Sequence, residues 1–584
     1  MRSRVVLTVA VLATAAVVAG CSEIPTSGPV VDAGSPQPDD QSRYIEVIEA
    51  PPRPGMTPLQ IVDGFIEAMA SYQPGYETAR EYLTEEAAAE WDPSARVGVY
   101  YEAKPALEQL SENTVHVRTT PRGEVGADGA FREGVRPTVA PAFDLQLEQV
   151  DGEWRIANPA PGILISDFSF EREYQARNVY FFDPGFEVLV PDVVYLPRTA
   201  NDATATLLAR KVLGGPTEWL APAVATAFRP ETELGVDAVP VRNGVATIEL
   251  SDDAALAGPE ERERMVAQLA WTLGVLPEVE RVEVLANNLP LIQGDPLSPH
   301  DPPLSAYDPA VLPSGTPLYA IGETGVVSVS DGEPAPVPGP LGEQADALEV
   351  AVNLAANRGV VISGDRTTIR VASFGEDEPL DTLYQGVHLT SPAWDRTGLV
   401  WVVDHGVEGH GIVVIRPDGQ PVAVSAPDLA GMDVERLAVS PDGTRVALIV
   451  DGEAMVANVI RDADSDATIL IDQPRPIGPG GAARDVAWSS SSPSWSAADT
   501  VVILLETEST TESTTEETTV EPYYAALSGQ ETLPRGGLPA GDAVRVGAAS
   551  GLPVVLESDG VLYVQRSSNA WTEIGPARSP AYPG

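Results

Sequence analysis

Apolar residues recur at helical spacing early in the chain. Ile61, Phe65 and Met69 fall on one face, and Thr57-Pro58 supplies an N-cap with proline at the first helical position. A second helical stretch spans 76–83 and meets Thr84-Glu85-Glu86, a fresh cap with acidic first-turn residues, before closing near Trp91. The period then changes to two. Strand-like pieces are predicted at 96–101, 114–119, 142–149 and 153–156, the last two joined by the hairpin pair Asp151-Gly152. Helices followed by a curved sheet predict an α+β cone over 55–175, a shape that often holds a pocket. No acid–base pair is evident for it.

A second α+β unit is predicted over 176–292. Its pieces are a strand at 178–182, a helix at 202–213 stopped by Gly214-Gly215-Pro216, and a hairpin at 241–250 turning on Asn243-Gly244. A helix at 259–273 carries Met265, Leu269 and Leu273 on one face, and Val279, Val282 and Val284 with Leu285 mark a closing strand. Residues 293–317, rich in Pro, Asp and Ser, read as a linker. Beyond it the helical period vanishes, and short apolar runs alternate with Asp-Gly and Ser-Pro turns. The landmarks Trp394, Ser440 and Trp488 lie near the period of a propeller blade. Residues 318–584 are therefore expected to close into a β-propeller of five to seven blades. The Thr/Glu/Ser run 506–521 reads as a disordered acidic loop extruded from a blade hairpin. The fold class is multidomain: two α+β domains followed by an all-β propeller.

The amino terminus changes the picture. Arg2 and Arg4 precede a short apolar run at 5–18, and Val18-Ala19-Gly20-Cys21 is a lipobox. Residues 1–20 are read as a signal peptide, Cys21 as the lipidated residue (S-diacylglyceryl, N-acyl), and 21–54 as a flexible tether. Two acyl chains suffice to hold a soluble domain on a bilayer, so the expected location is the extracytoplasmic face of the cell membrane. Cys21 is the single cysteine, which excludes disulfides within the mature chain. With 584 residues, 43% of them hydrophobic, stability has to come from several apolar cores. The net charge of −49 repels phosphates, so nucleic acid is excluded as a partner. Only Lys104 and Lys211 are lysines, a bias that fits a GC-rich genome.

Chemistry-bearing motifs are weak. His405, Glu408 and His410 sit together but lack the spacing of a helical metal site, and read as a solvated hairpin turn. Asp462, Asp464 and Asp466 begin like a calcium loop, yet Ala467 and Gln473 occupy the glycine and glutamate positions. Ser440-Pro441-Asp442-Gly443-Thr444 partly matches a sialidase aspartate box without its tryptophan, and reads as a blade turn. No Gly-x-Ser-x-Gly elbow is present. No catalytic, metal or cofactor-binding residue is assigned, and the chain is read as not an enzyme.

Glu81-Tyr82-Leu83-Thr84 with Trp91, Trp154-Arg155-Ile156 and Tyr180-Phe181-Phe182-Asp183-Pro184, in this order of parts, resemble the actinobacterial lipoprotein LpqB family. The second domain resembles a GerMN module through 213–217, 243–246 and 270–273; Pro392-Ala393-Trp394 and 440–445 carry the propeller match. The resemblance implies a non-catalytic protein that binds the extracellular sensor domain of a membrane histidine kinase (MtrB-like). It would thereby modulate MtrA–MtrB two-component signalling in envelope homeostasis and division. The alternative reading is a cell-wall glycan binder, or a hydrolase using carboxylates at the propeller mouth.

Overall fold

The computed structural model describes residues 50–584 apart from 134–141, 200, 310–311, 314, 331, 376–378, 463–464, 490–499, 510–516, 530–532, 535–541 and 568–569. Cys21, the signal and most of the tether lie outside the described residues. Residues 49–584 form one compact unit.

The first domain opens on the helix Pro58–Met69. Its Thr57 cap makes a capping box with Gln60, and Ile61, Val62, Phe65 and Met69 are buried. Two four-stranded sheets follow. One orders Ala106–Ser111, Thr114–Arg118, Ala142–Val150 and Glu153–Ile156; the other orders Phe131–Glu133, Pro121–Gly126, Arg96–Tyr100 and Ile163–Ser166. Asp151-Gly152 turns the first as expected, with φ of 53° and 85°.

The expected boundary at 175/176 is not a boundary in the backbone. It falls inside the strand Tyr174–Phe182, which pairs antiparallel with Leu189–Pro197 along its whole length. The base of this ribbon gives Tyr174, Ala176 and Tyr195 to the first core, while its far end gives Val179, Phe181, Phe182 and Leu189 to the second. One ribbon serves two cores because its buried positions alternate at the base (Tyr174, Ala176) and become continuous from Val179 to Phe182. In the second domain Val245–Leu250 runs parallel to Arg281–Ala286, against helices Asn201–Leu213 and Pro259–Leu273. Buried Gln268 fixes the ribbon to the second helix: its amide donates to the Tyr180 carbonyl at 3.0 Å and its oxygen accepts from Ala227 N–H at 2.6 Å.

The predicted linker 293–317 is largely packed structure. Leu297 bridges Val282, Leu304 is fully buried, and Tyr307 stacks edge-on against Phe182 and donates to Glu263 at 3.0 Å. Pro, Asp and Ser set a turn-rich path here, but the apolar residues between them still find the core.

Beyond it, six four-stranded blades are present among the described residues. The closing blade combines Leu318–Ile321, Val326–Ser330 and Glu333–Pro336 with the chain's last strand, Arg578–Ala581, on its inner edge. The other inner strands are Ala347–Val352, Leu389–Trp394, Val434–Val439, Ala483–Ser489 and Ala543–Gly547. A separate apolar cluster fills each gap between neighbouring blades. Trp394 and Trp488 cross such gaps, donating to the carbonyls of Ala351 and Ala438 on the preceding inner strands at 3.2 and 2.8 Å. The acidic run 506–521 departs from expectation. Thr500–Ser509 and Glu517–Ala526 stay paired as far as Ser509↔Glu517, with the Thr507 and Thr519 hydroxyls 3.2 Å apart across the ladder; the tip at 510–516 lies outside the described residues.

Candidate functional site

Each inner strand of the propeller repeats a short phrase around a bulge. Ala347-Leu348-Glu349, Leu389-Thr390-Ser391, Val434-Glu435-Arg436, Ala483-Arg484-Asp485, Ala543-Val544-Arg545 and Ala577-Arg578-Ser579 place their third residue at the mouth of the ring. Bulges at 347/349, 434/436, 483/485 and 543/545 turn these side chains toward the axis.

Glu349 is the hub. It is 4% exposed and meets Arg366 and Arg436 at 2.9 Å and Arg545 at 3.3 Å, and it accepts the Ser391 N–H at 2.9 Å. Burial alone would push its carboxyl up, but Arg436, Arg545 and Arg366 outweigh burial and hold it at about 2. Two further carboxylates complete the pattern. Asp485 accepts Val546 N–H at 2.9 Å and Glu557 accepts Ser579 N–H at 2.7 Å, each from the neighbouring blade, and burial raises both. These acids therefore serve as acceptors that bond blade to blade. Glu349, ionised far below neutrality, is no proton donor for glycan cleavage.

The residues singled out from sequence are dispersed. His405 lies 3.5 Å from Asp433 and against the His388 ring, whereas His410 accepts the Ile412 N–H at 3.1 Å within the same hairpin; Glu408 is exposed in that turn. Asp462 and Asp466 sit on consecutive strands, and Asp464 is outside the described residues. Asp442 of the Ser-Pro-Asp-Gly turn is buried and engaged: it accepts from Ser440 Oγ at 2.7 Å and Thr444 N–H at 2.9 Å, and pairs with Arg445. Among the described residues, no group of three or more His, Cys, Asp or Glu is placed to hold a metal.

Arg445 leads to the second notable site, where all three domains meet. It reaches the Pro191 carbonyl at 3.3 Å. Beside it the Arg475 guanidinium lies 3.8 Å from the centre of the Trp219 ring, whose Nε1–H donates to the Gln473 carbonyl at 3.0 Å. Asp192, fully buried here, accepts Thr217 N–H at 2.7 Å and Thr217 Oγ–H at 2.9 Å; burial nonetheless pushes its carboxyl up to about 6. Burial likewise lowers Arg475 to about 10. The first domain joins through Phe131, which packs on Gly529 closely enough that a Cβ there would fall 2.9 Å from the ring. Lys211 also donates to the Ala127 carbonyl at 2.7 Å. Sequence reasoning pointed to carboxylates at the propeller mouth without naming one, and gave no sign of the junction. The repeated third-position charge on inner strands was a readable signal for the mouth; nothing local pairs Trp219 with Arg475.

Such a chain is a modular protein: two α+β domains locked to a propeller with six blades among the described residues, whose axial charges are used for inter-blade bonds. Residues 51–171 match the lipoprotein LpqB N-terminal domain family, 178–292 the sporulation and spore germination (Germane) family, and 324–583 the lipoprotein LpqB beta-propeller family. None of these is an enzyme family. Lipoprotein LpqB of Thermobifida fusca is 30% identical over all of this chain and 99% of its own. That of Cutibacterium acnes is 28% identical over 97% of each, and that of Streptomyces coelicolor 30% identical over 77% of each. The chain belongs to the lipoprotein LpqB family, and is thus a membrane-anchored lipoprotein.

Proposed function

We propose that this lipoprotein is held by lipid on Cys21 at the extracytoplasmic face of the cell membrane. There it binds the extracellular sensor domain of an MtrB-like histidine kinase and modulates MtrA–MtrB signalling in envelope homeostasis and division. The observation that carries the reading is the end-to-end likeness to lipoprotein LpqB, spanning anchor region, both α+β modules and propeller. A binding role is supported by the mouth, where carboxylates that could serve a hydrolase are taken up by arginines and backbone N–H groups. The acidic surface, with net charge −49, favours a partner face of opposite sign and a salt-dependent association rate. Purified chain spanning 22–584 is titrated with the kinase sensor domain and, separately, incubated with muropeptides. Saturable binding of the sensor domain with muropeptides left intact is expected. Cleaved glycan or peptide products, lost on Asp485→Asn, would replace the reading with the hydrolase alternative.

A further inference from the structure

The first domain contains a cavity of about 440 Å³ between the helix Pro58–Met69 and the two sheets. Its body is lined by Phe65, Ile66, Met69, Leu145, Ile163 and Leu164. It is a cleft open to solvent on one side, with exposed Arg96 and Ala160 and half-exposed Glu124 in its lining and buried apolar residues behind them. Its volume and lining are those of small-molecule sites.

The lining also holds polar side chains, Thr119 among them. Arg96 and Glu124, half exposed and paired at 3.4 Å, lie at its margin together with Arg132 and Glu133. An apolar body under a charged mouth matches the two ends of an amphiphile. Size narrows the class further. A cavity of about 150 Å³ takes one benzene, so a space about three times larger accommodates on the order of 18 carbons. The mouth offers both signs of charge, and therefore selects no particular head group.

We propose that this cavity binds a single long hydrocarbon tail, a fatty acyl chain, with its polar end at the Arg96–Glu124 mouth. The tail has three chemical sources: a free fatty acid, a bilayer phospholipid, or the chain's own acyl group. The 29 residues from Cys21 to Glu49 can extend on the order of 100 Å, so supply from the anchor side is not barred by length. The proposal does not rest on the kinase reading, and its test involves no kinase.

Chain spanning 22–584, which contains the whole compact unit, is titrated with a fluorescent long-chain fatty acid. Saturable one-to-one binding is expected, displaced by palmitate and not by a short-chain acid. Ala160→Trp at the exposed rim and Leu164→Trp in the body should each weaken binding roughly tenfold or more. Leu289→Trp, exposed on the second domain, should leave it unchanged. A photoreactive fatty acid provides a check independent of variant folding: adducts are expected in peptides covering 58–69, 142–150 and 160–164. Mass spectrometry of lipid extracted from the chain purified out of bacterial membranes distinguishes free fatty acid from phospholipid. Probe binding by unlipidated but not lipidated chain would identify its own acyl group. Absence of saturable binding, adducts confined to other peptides, or undiminished binding in both tryptophan variants at wild-type melting temperature would overturn the proposal.

Discussion

Glu349→Gln removes the one carboxylate that three arginines share. A fall of its carboxyl from 4.5 to about 2, at about 1.4 kcal/mol per pH unit, corresponds to about 3 kcal/mol of stability. That matches the ~3–5 kcal/mol cost of removing one partner from a buried ion pair. The sign follows from the direction. The folded carboxyl is the stronger acid, so its contribution is complete above pH 4.5 and is lost as pH falls toward 2. The variant should therefore melt about 6 °C below wild type at pH 7, taking about 2 °C per kcal/mol for a unit of propeller size. By pH 3 the gap should have shrunk by a little over half, because wild type has by then lost that share of the same contribution. Differential scanning calorimetry at both pH values, read on the propeller transition, measures this. Melting within a degree of wild type at pH 7, or an equal gap at pH 3, would refute the idea that Glu349 is held ionised by its arginines.

Three further outcomes are expected. Cys21→Ala should abolish incorporation of a fatty-acid analogue in metabolic labelling, since no other cysteine exists; equal label would remove the anchor assignment. Trp219→Ala should loosen the junction by about 2 kcal/mol through loss of the Arg475 stack and the Gln473 bond, seen as faster amide exchange across 189–197 and 458–475 with the propeller interior unchanged. Truncation after Ala577 should strip the inner strand from the closing blade, and exchange at 318–330 should rise before exchange at 445–450.

The parts most legible in the sequence were those fixed locally. Thr57-Pro58, Asn243-Gly244 and Asp151-Gly152 commit their neighbours to caps and turns over a few residues, and the structure keeps each of them. Blade period was readable because every blade repeats the same short-range pattern. What failed depended on distance. Residues 293–307 looked like a linker because composition cannot reveal that Leu304 and Tyr307 have an apolar surface waiting. The break at 175/176 falls between the family matches, which end at 171 and resume at 178, yet strand Tyr174–Phe182 runs through it. Among so many acids, only the position of Glu349 relative to Arg366, Arg436 and Arg545 distinguishes it, and those partners come from three other strands or turns.

Closure by the terminal strand has a consequence for biosynthesis. Tyr319 pairs with Ala581, so the first blade begun is the last one finished, and the loop between them holds the entire ring. Such a contact is slow to find and gives nothing until strand 578–581 has been made. Until then Leu318–Ile321 is an unpaired inner edge, open to pairing with another chain. A chain lacking 578–581 would therefore carry one sticky edge, which makes that short strand a quality checkpoint for the whole ring.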